Sequence, residues 1–199
     1  MRAVLTGDII NSQSNNDWQP LLKKVLSHYG EEPTQWELYR GDSFQLELNP
    51  DSALVAAIHI KAAIKTFSTL DVRIAIGLGD KKHHAKKVTQ ANGTAFVNSG
   101  TAFDAIKKNT LVLKSNDLQF DSIINLMLSL ATLTMDIWPP VTASIVKTQL
   151  ENPQANQTEL SSLLGKSQSA ISKALNRAGY SEINALLQYY SQTVKQHKC

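Results

Sequence analysis

Apolar and polar positions along the first 115 residues switch repeatedly between a period of two and a period near 3.6, the marks of strands and amphipathic helices. Ala3 to Leu5 opens a short apolar strand that ends at Thr6-Gly7-Asp8. Trp18, Leu21, Leu22, Val25, Leu26 and Tyr29 then fall at helical spacing, with Gly30 placed as a C-cap. Trp36 to Arg40 and Phe44 to Leu48 alternate around Gly41-Asp42, which predicts a β-hairpin. Pro50-Asp51-Ser52 supplies a break and a cap for an Ala- and Ile-rich helix from Ser52 to Phe67. Val72 to Leu78 is β-branched again, Phe96 to Lys108 is helical, and Leu111 to Leu113 can add a last strand.

Strand, helix, strand, strand, helix, strand is the order of the split βαβ arrangement, an antiparallel sheet with helices on one face. Beyond Asp121 the strand pattern stops. Asp121 to Ile137 is one apolar helix, closed by Pro139-Pro140. Further helical runs cover Val141 to Asn152, Gln157 to Leu164, Ser167 to Arg177, and Ser181 towards Lys195. The expected fold class is α+β: a ferredoxin-like domain over residues 1–117, a linker or dimerisation helix over 118–140, and an all-α domain over 141–199.

Hydrophobic residues are 42% of the 199 and charged residues 19%, which excludes a wholly disordered chain. The longest apolar run, Ile123 to Trp138, is interrupted by Asn125 and Asp136, so no membrane span is expected. The N-terminus lacks a secretory pattern, and the single cysteine, Cys199, allows no internal disulfide. A cytoplasmic protein is expected. From Val141 onward six basic residues face three acids, an excess equal to the +3 of the whole chain.

That basic tail contains QTELSSLLGKSQSAISKALNRAG, which has helix-turn-helix form. Leu160, Leu163 and Leu164 are expected to face inwards, Gly165 to make a left-handed turn, and Ile171 and Leu175 to anchor the second helix. Ser167 can N-cap that helix, leaving Gln168, Ser169, Ser172 and Lys173 outward, where amide and ammonium groups suit adenine and guanine edges. Asn176 and Arg177 are placed for phosphate. The segment resembles the recognition unit of phage Cro-type repressors through the QSAI-x-KA core at Gln168 to Ala174. That resemblance implies base contacts from Gln168, Ser169, Ser172 and Lys173 on double-stranded DNA. One such unit buries too little to be specific, so a homodimer on an inverted repeat is expected.

In the first half, Gly7-Asp8-Ile9-Ile10 and Gly41-Asp42-Ser43-Phe44 are expected to bring two carboxylates to one sheet edge, a pairing that suits a hard divalent cation. Arg40, beside Asp42, can pair with a phosphate or with that carboxylate. Asp71-Val72-Arg73-Ile74-Ala75-Ile76-Gly77 resembles the corresponding strand of class III nucleotidyl cyclases. With related GGDEF-type domains, that group implies Asp8, Asp42 and the Ile9 carbonyl as ligands of Mg²⁺ or Mn²⁺. The basic loop Lys81, Lys82, His83, His84, Lys86 and Lys87 lies where triphosphates sit in those enzymes. Asn98-Ser99-Gly100-Thr101 is read as a helix start that can offer amides to an anion. Arg40, Lys81, Lys82, Asn98 and Ser99 are thus the expected nucleotide-binding set. The cyclase Asn/Arg helix pair is missing, since Asn98 is followed at that spacing by Ala102, and Leu38 stands where an adenine-reading Lys is expected.

Taken together, the start of the chain, YRGDSFQ, DVRIAIG and NGTAFVNSG make the chain similar to the SatD-like family. The expected function is a DNA-binding transcriptional regulator with a nucleotide- or metal-sensing domain. The alternatives are a metal-dependent enzyme on a nucleoside triphosphate or phosphodiester, or a scaffold that only dimerises.

Overall fold

The computed structural model describes residues 1–14, 17–83 and 85–196; His84 of the basic loop, Lys198 and Cys199 lie outside them. Strands are β1 (Arg2–Ile10), β2 (Trp36–Tyr39), β3 (Ser43–Leu48), β4 (Asp71–Gly79) and β5 (Leu111–Lys114). Helices are α1 (Trp18–Ser27), α2 (Ala53–Ile64), α3 (Thr94–Ala105), α4 (Leu118–Met135), α5 (Pro140–Glu151), α6 (Gln157–Leu164), α7 (Gln168–Arg177) and α8 (Tyr180–Gln196). The fold is α+β. The sheet order is β2-β3-β1-β4-β5, antiparallel except for the parallel pair β4 and β5. The first four strands are compatible with the expected split βαβ arrangement.

Helix placement corrects one expectation. Leu5, Ile74, Ile76 and Leu46 share a core with α1 and α2 on one face, while Val4 packs with Ala95 and Phe96 of α3 on the other. The sheet is therefore covered on both faces. Gly77 and Gly79 make this possible, because a Cβ on either would meet the backbone of residues 94–99. The β3–α2–β4 and β4–α3–β5 crossovers both join parallel strands and step the same way across the sheet. Their helices lie on opposite faces, so the two crossovers are of opposite hand, and one departs from the right-handed rule. The first helix also ends earlier than its pattern suggests: His28 is the C-cap of α1 and Gly30 is not.

Edge strand β5 is closed by a side chain. Asn125 of α4 accepts from the Leu113 N–H (2.8 Å) and donates to the Leu113 carbonyl (2.7 Å), replacing a missing strand neighbour. Asp121 fixes the same helix by accepting from the Ser115 N–H and hydroxyl. Asp117 caps α4 through the amides of Gln119 and Phe120, so the helix starts three residues before the predicted Asp121.

The core runs on without a break from the sheet through α2 and α5 into α7 and α8, across the expected boundaries at 117 and 140. Polar ties reinforce the junction. The Tyr190 hydroxyl donates to the Pro50 carbonyl (2.8 Å), and the Trp138 indole donates to the Ala178 carbonyl (3.2 Å) at the end of α7. Lys61, buried in α2, pairs with Asp71 (2.7 Å) and Asp136 (2.6 Å).

Candidate functional site

A cleft of about 900 Å³ opens at the end of β1 and is lined by Asp8, Ile9, Ser12, Asp42, Arg73 and the loop Lys107–Thr110. Two neighbouring strands bring the acids there. Asp8 lies opposite Ser43 in the β1–β3 register, and the Ile9 N–H donates to the Asp42 carbonyl (3.1 Å). The turn before Asp42 needs a left-handed backbone at Arg40 (φ 54°) and Gly41 (φ 90°), which glycine adopts readily and arginine at some cost. Asn11, also left-handed at φ 62°, turns the chain as it leaves β1, and the Ser12 hydroxyl then donates to Asp42 (2.8 Å).

Asp8 already has a partner. The Arg73 guanidinium grips its carboxylate through Nε (2.9 Å) and Nη2, from the facing position of β4. That hydrogen bond holds Arg73 above its ordinary pKa against a smaller effect of burial, and the charges of Asp8 and Asp42 add to it. A cation shared by Asp8 and Asp42 must displace or share this guanidinium. Two carboxylates and a serine hydroxyl are hard oxygen donors that suit Mg²⁺ or Mn²⁺. Among the described residues, no group of three or more His, Cys, Asp or Glu is placed to hold a metal.

The expected nucleotide set does not converge on this cleft. β4 is antiparallel to β1, so Gly79 faces Arg2 while Arg73 faces Asp8. Lys81 and Lys82 follow Gly79 and so lie at the far end of the sheet, roughly 20 Å from the acids at about 3.3 Å per residue. Lys81 is held there by the buried Glu47. Asn98 and Ser99 are in the middle of α3, not at its start, and both are buried. Asn98 donates to the Leu78 carbonyl (2.8 Å), and Ser99 shares a hydrogen bond with Thr6 (2.9 Å). They hold α3 on the sheet. Arg40 is exposed at the hairpin tip and is not among the cleft residues.

The basic groups at the cleft are instead Arg73, Lys107 and Lys108. The sequence carries a signal for the lysines. Because β5 runs parallel to β4, the loop entering β5 comes to the end of the sheet where β4 begins and β1 finishes. A Lys-Lys pair between a helix and that strand therefore faces the acids.

The second site is the outer face of α7. Asn156 and Glu159 form a capping box at the start of α6, and Gly165 ends it in the left-handed conformation (φ 60°). The Ser167 side chain then caps α7 by accepting from the Ala170 N–H (3.2 Å). Ile171, Ala174 and Leu175 are buried, so Gln168, Ser169, Lys173, Asn176 and Arg177 are exposed, with Ser172 partly so. The Gln168 side-chain amide donates to the Gln157 amide oxygen of α6 (3.1 Å). Leu163 departs from expectation: it is 60% exposed, because Leu160 fills the inner face of a helix only eight residues long.

No known protein family, curated protein or solved structure matches the chain.

Proposed function

We propose that the protein is a DNA-binding transcriptional regulator whose sheet domain, ferredoxin-like and of the nucleotidyl cyclase kind, senses a nucleotide or a divalent cation. The observation that carries the DNA reading is the polar outer face of α7. Its Gln168, Ser169, Ser172 and Lys173 project from the first turns of a capped helix that follows a left-handed glycine turn. Such a helix enters a major groove by its N-terminal end, where a glutamine can pair with adenine and a lysine can reach guanine. Asn176 and Arg177 on the same face suit phosphate oxygens. The segment from Val141 onward, which holds α7, carries a net charge of +3, equal to that of the whole chain.

Gln168→Ala and Lys173→Ala are each expected to weaken specific binding by about 1–3 kcal/mol, roughly 5- to 150-fold, without changing thermal stability. Fluorescence anisotropy on a selected duplex and on a scrambled one measures this. Equal losses on both duplexes for Gln168→Ala argue against base reading.

For the cleft, Asp8, Asp42 and the Ile9 carbonyl are the groups that would hold Mg²⁺ or Mn²⁺, which supplies a positive centre for phosphate oxygens. Lys107 and Lys108 would take the remaining negative charge of the ligand. An enzyme acting on the same ligand is the less favoured reading, because α3 contributes no side chain to the cleft. At tenfold excess over its dissociation constant, Mn²⁺ is expected to stabilise the fold by about 1.4 kcal/mol, a shift of a few degrees. Asp42→Asn is expected to abolish that shift in a thermal-unfolding assay. A shift that survives the substitution places the cation elsewhere. The SatD-like resemblance rests on motifs of the sheet domain and adds no ligand of its own.

A further inference from the structure

We infer that the outer face of α4 is a two-fold interface with a second copy of this chain, an inference that rests on the DNA-binding reading of α7. α4 is apolar on both sides. Phe120, Ile124, Leu128 and Met135 are buried inwards. Opposite them, Leu126, Leu130, Leu133 and the following Ile137 are 60–75% exposed, and Leu118 and Ile123 extend the stripe. These six present on the order of 700 Å² of apolar surface, close to the roughly 800 Å² each partner buries in a standard interface and above what most monomers leave open.

The polar residues beside the stripe, Gln119, Ser122 and Ser129, are uncharged. The helix holds one charged residue, Asp121, and it is buried against Ser115. Charge depletion around a leucine stripe is the composition of an interface centre; a solvated helix face carries lysines and glutamates.

A groove of about 600 Å³ adjoins the stripe, between α4 and α8, lined mainly by apolar side chains such as Met127, Leu130, Ile183, Leu186 and Tyr189, with Glu182 the charged residue among them. Leu130 belongs to both features. A symmetric partner can therefore seat leucines of its stripe in this groove while offering its own groove in return, as an isologous contact requires. The groove also touches Ala178 and Gly179, where α7 ends, so the pairing fixes the two reading helices relative to one another.

By length and composition α4 is also apolar enough to cross a membrane. Its bonds to β5 through Asn125 and Asp121 argue for a helix integral to the fold. A helix lying on a membrane surface carries Lys and Arg beside its apolar face, and α4 has neither.

Sedimentation velocity on the full chain at micromolar concentration tests the inference. The wild type is expected to be a dimer. Leu126→Asp with Leu133→Asp is expected to raise the dimer dissociation constant at least ~100-fold at unchanged circular dichroism, about 2.8 kcal/mol over the two central positions. The milder Leu126→Gln with Leu133→Gln is expected to weaken it in the same direction, and Leu163→Asp, on exposed α6, to leave it intact. A monomeric wild type, a dimer indifferent to the stripe variants, or a monomer captured by anionic phospholipid vesicles through Leu126 and Leu133 overturns the interface. A monomeric wild type that still selects a DNA sequence overturns the interface alone. A stripe-dependent dimer that ignores DNA supports the interface and overturns the reading of α7.

Discussion

Lys61→Met is expected to destabilise the protein by about 3 kcal/mol and to lower its melting temperature by roughly 6–12 °C at the usual scaling for a chain of this size. Lys61 is 1% exposed and holds Asp71 and Asp136 at 2.7 and 2.6 Å, with Thr110 accepting a further bond at 3.1 Å. Methionine matches the stem but removes the ammonium that lies between the two carboxylates. The value sits at the low end for a broken buried pair because Asp136 is about a third exposed and water can reach it, and because Lys65 remains near Asp71. The damage is not local. Thr110 lines the cleft and donates to Asp136 (2.7 Å), two residues before Trp138, which bonds to the end of α7. Urea unfolding with and without Mn²⁺ checks both parts: the variant should lose stability and also lose part of the Mn²⁺ effect. Stability within 1 kcal/mol of wild type would show that Lys61 does not hold this junction.

The second large effect is expected at Gly77→Ala. A Cβ there would lie 2.2 Å from the Ala95 carbonyl oxygen and 2.2 Å from the Ser99 nitrogen, both backbone atoms of α3. A side chain could swing aside, but a helix backbone must move as a unit. The expected cost is about 3 kcal/mol, the upper part of the usual overpacking range. The Thr6–Ser99 and Asn98–Leu78 bonds should loosen first, because they hold α3 on this face. Hydrogen exchange of α3 amides, faster in the variant while α7 amides keep their protection, is the expected signature. Unchanged exchange in α3 would mean that the sheet yields instead.

Local patterns carried much of this architecture. Alternation around Gly41-Asp42 predicts the β2–β3 hairpin, and leucine spacing followed by Gly165 and Ser167 predicts the α6–α7 turn, because each depends on neighbours a few residues away. Side-chain fate across the sheet is a different matter. Lys61 sits in an Ala- and Ile-rich helix that is covered on every side, so helical period cannot say which polar residue is enclosed. Asn98 and Ser99 look like available polar groups until α3 is known to lie with them against β4 and β1. Lys81 and Lys82 look close to the acids only if β4 is imagined to end where β1 ends. Antiparallel pairing sends them to the far end and brings in Arg73, Lys107 and Lys108. The second apolar face of α4 is visible in the sequence as a surplus of leucines, whereas the neighbouring groove depends on where α8 returns.

Selection of bound duplexes from a fully random pool by the wild-type protein is the most direct test of the central claim. The expected result is an enriched inverted repeat whose half-sites lie about 34 Å apart, one helical turn, and whose enrichment disappears for the protein carrying Gln168→Ala and Lys173→Ala. A pool that shows no enriched sequence after repeated rounds, or one enriched equally by the double variant, contradicts a DNA-reading role for α7.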